Sequence, residues 1–193
     1  MLLDLFLNNA WAAIGLWAVL YCMDYTLTFK AAKIYKAGAG KHFGFAGGYE
    51  LNPYFQDDIA NLRRFSFRFF LLLFFVSGLL LILHSTDSRE GFAFVWGVMI
   101  CVQLAVHFRH IRNLVVFHYA KDSNGMNGRI EYEHWLSLRL SSIEFLAFSV
   151  FYLFLFLLWG NLFMLGGATG CLVLALRHLF DSRRSRALAP QRA

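Results

Sequence analysis

Apolar positions in this chain do not alternate with polar ones on a strand or helix period. They run on continuously. Five stretches are apolar nearly all round, at about residues 11–29, 65–84, 92–113, 138–159 and 162–180. Each approaches the roughly 20 residues that an α-helix needs to cross a bilayer core. The apolar region 138–180 is too long for one span, and Gly160-Asn161 near its middle supplies the turn that divides it. The pattern predicts an all-α fold, a polytopic transmembrane helical bundle of five spans. It forms a single domain over residues 1–184, followed by a basic tail, 185–193, expected to be disordered. Composition agrees, with 59% hydrophobic residues and a mean hydropathy of +0.52, where soluble domains are about 45–50% apolar.

Charge then orients the bundle. Net charge is +6, which in a soluble protein would point to nucleic acid. Here all Lys and Arg except Arg89 fall between spans one and two, between spans three and four, in the C-terminal tail, or at the ends of the spans that face those segments. The positive-inside rule makes that side cytoplasmic, with the N-terminus outside and the C-terminus inside, in an inner or plasma membrane. A four-span count would put the C-terminal arginines outside. Residues 1–10 lack the positive region of a cleavable signal, so the first span reads as an anchor. Trp11, Trp17, Trp96 and Trp159 lie toward the outer ends, as an interfacial belt would. Cys22, Cys101 and Cys171 each lie within a span and read as reduced, small apolar residues.

The cytoplasmic segments hold most of the remaining polar chemistry. Residues 38–48 are Gly-rich and expected to be irregular. In Tyr49-Glu50-Leu51-Asn52-Pro53, Asn52 is a suitable helix cap and Pro53 a suitable first helical residue. A helix is therefore expected from there through Arg64 into span two. Asn124-Gly125 and Asn127-Gly128 are turn signals. The basic segments, with Lys41 and His42, suit anionic lipid head groups, while the lack of a Gly-Lys-Ser/Thr ending argues against a nucleotide loop.

Besides residues at the span ends and the flanking arginines, the ionisable residues inside the spans are Asp24, His107, His110 and Glu144. Charge within a bilayer is expensive and marks a functional site by default. Asp24, His107 and Glu144 each lie about six residues, or about 9 Å, from the cytoplasmic end of their helix. Tyr21, Asp24 and Thr28 share one helical face, as do Ser137, Ser141 and Glu144. Asp24, His107, His110 and Glu144 together make a ligand set for a divalent metal such as zinc, iron or manganese. The bland alternative is a structural network in which Arg109 and Arg112 neutralise the carboxylates. Asp24, Glu144 and Glu50 are the candidate acid–base groups. Tyr21, Thr28, Asn52, Arg109, Arg112 and Ser141 are the candidate substrate contacts. The spacings Asp24-x-x-x-Thr28 and Glu50-x-Asn52-Pro53 are motif-like. His84 and His178, at span ends, read as interfacial.

Three function classes follow. The outer halves of the spans are almost wholly apolar, which disfavours a pore within one chain, though an oligomer could form a channel or transporter at its axis. Gly166, Gly167 and Gly170 would permit close helix contacts in span five, as suits a non-catalytic subunit of a larger complex. The size of the polar cluster favours a third class, a small membrane-embedded enzyme with a polar, metal-assisted pocket open to the cytoplasmic leaflet, acting on a lipid or lipid-linked substrate.

Overall fold

The computed structural model describes residues 2–46, 48, 50–86, 88–122 and 126–188. A short helix, α1 (Leu2–Asn8), leads into α2 (Ala10–Ala37); α3 (Gln56–Ala60) and α4 (Phe67–His84) follow, then α5 (Arg89–Lys121), α6 (His134–Trp159) and α7 (Leu162–Leu188). Among the described residues α2, α4, α5, α6 and α7 are long and apolar enough to cross a membrane. That is the profile of a multi-pass membrane protein.

Polar side chains set the helix ends. Asn9, Ser66 and Ser88 each accept a hydrogen bond from a first-turn backbone N–H, at 3.1, 3.3 and 3.2 Å, where the helix itself offers no partner. Gly160 closes α6 in the left-handed region, at φ 63°. The Asn161 side chain then accepts from Phe163 N–H at 2.9 Å and starts α7.

α5 is the central helix. It packs on α2 and α4 at one side and, more extensively, on α7 at the other, while α6 lies mainly against α7. The α5–α7 contact is backbone-close. A Cβ at Gly166 would sit 2.0 Å from the Phe94 carbonyl oxygen, and one at Gly97 would sit 2.0 Å from that of Phe163. Gly166, Gly167 and Gly170 therefore do permit the approach expected of them; Gly97, on the facing helix, completes it. Beside this seam Trp17, Leu80, Trp96, Cys101, Phe163 and Cys171 fill the half of the bundle remote from α3.

Several expectations need correction. Residues 38–48 are not simply irregular: they carry a 3-10 turn (Ala39–Lys41) and a strand, β1 (Phe43–Phe45), paired in parallel with β2 (Ile130–Tyr132). Phe43 and Phe117 anchor this ribbon in a second small core, beyond the apolar window of α2. No helix begins at Pro53. Asn52 Oδ1 accepts from Tyr54 N–H at 3.1 Å, and Glu50 Oε1 accepts from Asn52 N–H at 2.7 Å. These local bonds offer the backbone a turn in place of a helix. α3 starts only at Gln56, and Leu62, at φ 50°, separates it from α4. Trp17 and Trp96 are buried core residues, with Trp96 donating to the Ala13 carbonyl at 3.2 Å; only Trp11 and Trp159 of the four are exposed. α7 continues past Ser185 to Leu188, its last turns held where Ser182 bonds the Trp135 carbonyl and Arg186 lies over the Trp135 ring. Residues 189–193, Tyr49 and Asn124-Gly125 lie outside the described residues.

Candidate functional site

Asp24 and Thr28 lie one turn apart on α2 and face His110 of α5. Asp24 Oδ1 is 2.9 Å from His110 Nε2, and Thr28 Oγ1 is 3.1 Å from the same nitrogen. The Thr28 hydroxyl has one proton, and it donates that proton to the Asp24 backbone carbonyl at 3.0 Å. Toward the imidazole Thr28 is therefore an acceptor. The carboxylate is also an acceptor, so both partners assign the ring proton to Nε2. Asp24 approaches off the hydrogen-bond axis, and its contribution is mainly electrostatic. In neutral His110 the other nitrogen, Nδ1, then carries the lone pair, and it is buried with no partner in the fold. A hydroxyl acceptor that fixes the imidazole tautomer, with a carboxylate beside the ring to stabilise its charged form, is one way of preparing a general base.

His110 and Asp24 line a cavity of about 910 Å³. Tyr21, Asp24 and Thr28 of α2 form one wall, Gln103, Arg109 and His110 of α5 the back, and Leu174, Arg177 and His178 of α7 the other wall. The segment from Glu50 to Gln56 covers one end. Helix packing explains the space: α2 with α4 and α7 with α6 flank α5, but α4 has no comparable interface with α6 or α7. Tyr21 is held by stacking on Trp17 and Phe69, at ring distances of 5.1 and 4.6 Å. Its hydroxyl, Gln103 Oε1 and His134 Nδ1 are also buried without hydrogen-bond partners, and all three residues line the cavity. A buried polar group left unpaired costs about 1–3 kcal/mol. Together with His110 Nδ1 these atoms belong to cavity-lining residues but are themselves shielded from it, so a bound polar molecule would reach them only after a side-chain rotation.

The covering segment is tied down at several points. Tyr25 donates to the Arg63 carbonyl at 2.8 Å, Arg68 to the Tyr54 carbonyl at 2.8 Å and Gln56 to the Glu50 carbonyl at 2.9 Å. Asp58 accepts from Ser66 and from Arg63. Glu50 and Asn52 are thereby brought to the same cavity as Asp24 and Thr28, so the two motif-like spacings in the sequence converge on one site. Burial raises the Glu50 pKa above the usual carboxylate value; the Asn52 N–H and the charges of Arg109 and His110 pull it back less strongly. The stability this contributes is full below the ordinary carboxyl pKa and is lost as pH rises through the raised one, because the folded protein must then ionise a buried group. The thermal midpoint of wild type relative to Glu50→Gln is expected to fall as pH increases from about 4 to 8. A difference that rises over this range would contradict the assignment.

On the opposite wall Arg109 donates to Ser141 Oγ at 2.6 Å and lies over the Phe145 ring, while Ser141 Oγ is 2.9 Å from His178 Nδ1. Arginine can only donate, so the Ser141 proton remains available for His178. His178 is thus a cavity residue, a role hidden in the sequence because its partner, Ser141, is on another helix. Ser141 holds these two residues in place and does not itself line the cavity.

The four proposed metal ligands are not gathered. Asp24 and His110 meet, but Glu144 is ion-paired with Arg112, and His107 Nδ1 bonds the Gln103 carbonyl at 2.6 Å. None of Glu144, Arg112 and His107 lines the cavity. Among the described residues no three His, Cys, Asp or Glu side chains group as metal ligands. Equal depth on three helices did not mean one face: His107 and His110, three residues apart, diverge by about 60° around the helix at 100° per residue. Because the Arg112–Glu144 pair lies within the spans, Glu144→Gln leaves Arg112 without its counter-ion there and is expected to lower the thermal midpoint, with part of the loss recovered when Arg112→Gln is added.

No family model matches the chain. Nor does any curated protein or any solved structure match it significantly. What the protein does must be read from its own side chains. Gln103, His134, Arg177 and His178 are among the cavity residues that the sequence does not mark as site residues. Gln103 alone carried a signal there, as the one amide in an apolar stretch of span three.

Proposed function

We propose that this protein is a membrane-embedded enzyme that acts on a lipid or lipid-linked substrate from the cytoplasmic leaflet. The observation that carries this reading is the Asp24–His110 pair, whose second ring nitrogen has no partner in the fold, at a large cavity lined also by Glu50, Arg109 and Arg177. The chemistry it suits is hydrolysis or group transfer at the head-group linkage. His110 Nδ1 takes a proton from the incoming water or hydroxyl; Asp24 stabilises the imidazolium so formed. Glu50, whose raised pKa keeps it protonated to higher pH than an ordinary carboxylate, returns a proton to the leaving oxygen. Arg109 and Arg177 supply positive charge for a developing or resident anion.

Two further features support a lipid. The cavity is flanked by α4 and α7, which do not pack extensively on each other, so a chain could enter sideways between Phe69 or Leu72 and Leu174. The other half of the bundle is filled by packed apolar side chains, which suits a pocket closed at one end better than a pore. The cytoplasmic placement rests on charge, since the cavity lies at the end of the bundle that carries nearly all the Lys and Arg.

Lipid entry is tested with a photoreactive phospholipid in vesicles. Crosslinks are expected on peptides containing Phe69–Leu72 and Leu174, reduced when Leu174→Trp narrows the gap. Labelling spread evenly over all lipid-facing helices, and unchanged in the Trp variant, would count against the proposal.

A further inference from the structure

A second recess, of about 440 Å³, lies outside the cavity between α2 and α5. Lys30 and Lys33 of α2 and His118 of α5 surround it, over a floor that includes Ile34 and Leu114. We propose that it binds an anionic phospholipid, with the phosphate held among Lys30, Lys33 and His118. None of its lining residues lines the large cavity, so this site stands apart from the proposed reaction.

Three observations carry it. Among the described residues no carboxylate forms an ion pair with Lys30, Lys33 or His118, so the two ammonium groups and the imidazole N–H are left to bind an outside anion. Lys30 is the first charge after the apolar run of α2, which puts the recess where a span would leave the bilayer. Beside it α5 keeps an exposed apolar stripe beyond Arg109: Ile111, Val115 and Tyr119, at i, i+4 and i+8, are all at least half exposed. Cations adjoining an exposed apolar strip at the membrane boundary match an amphiphile with a negative head and hydrocarbon tails. A free phosphate or an acidic peptide would leave the apolar strip uncovered.

The test is native mass spectrometry of the full chain in detergent with equal amounts of phosphatidylglycerol and phosphatidylcholine. Each lysine near the membrane surface favours an anionic lipid by about fivefold, so wild type is expected to retain phosphatidylglycerol with a preference of about thirtyfold. Lys30→Gln with Lys33→Gln should reduce that preference to about threefold or less, and Lys30→Arg with Lys33→Arg should keep it. Asp24→Asn, in the large cavity, should also keep it. Equal retention of both lipids by wild type, a preference that survives the double Gln change, or one lost in Asp24→Asn would each overturn the proposal.

Discussion

Replacing His110 by Ala, or Asp24 by Asn, is expected to lower turnover of the lipid substrate by about 10²- to 10⁴-fold, the usual contribution of positioned acid–base groups. The two changes act differently. His110→Ala removes the base. Asp24→Asn keeps the shape of the site and the Thr28 acceptor but removes the negative charge that stabilises the imidazolium. Thr28→Val removes only the neutral acceptor on the same nitrogen and should cost less, about tenfold. This ranking is read from initial rates in vesicles at equal amounts of folded protein. Full activity in Asp24→Asn would show that the carboxylate charge contributes nothing to the reaction and would contradict the role given to the pair.

The largest effect on stability is expected at the α5–α7 seam. Gly166→Ala puts a methyl 2.0 Å from the Phe94 carbonyl oxygen and 3.1 Å from the Val98 backbone nitrogen. Neither atom belongs to a side chain that can turn away, so the two helices must separate along their length. Overpacking of this kind costs up to about 3 kcal/mol and occasionally more, or roughly 10 °C in thermal midpoint at that upper end for a chain of this size. Gly78→Ala on α4 is the control, because a Cβ there meets nothing within 4 Å. It should be neutral or slightly stabilising, since alanine is the better helix former. Equal midpoints for the two variants would mean that the seam is looser than the structure has it.

Much of this was legible in the sequence, because apolar runs and backbone breakers report on helices directly. The division at Gly160-Asn161 and the five long helices follow from that pattern alone. The site was legible in part. Asp24, Thr28, His110, Glu50, Asn52 and Arg109 all reach the cavity, and four of them lie in two short motif-like spacings. What the sequence could not supply was helix rotation. In a helix that is apolar all round, no hydrophobic stripe marks the inner face, so Glu144 and His107 looked equivalent to Asp24 until neighbouring helices fixed which way each pointed. The same limit hid His178, whose position depends on Ser141 across a helix interface. The small ribbon was missed for another reason: three-residue strands 85 or more residues apart in the chain leave no local period to read.

Chemistry at the Asp24–His110 site is the central claim, and a mass balance of lipids tests it most directly. Wild type and His110→Ala, matched for thermal midpoint, are placed in vesicles made from the total lipids of the expression host, and lipid species are followed by mass spectrometry over time. The account predicts that at least one species is consumed, and a product carrying the same acyl or isoprenoid chain appears, with wild type and not with His110→Ala. An unchanged lipid profile with folded wild-type protein, or identical conversion by both proteins, would contradict it.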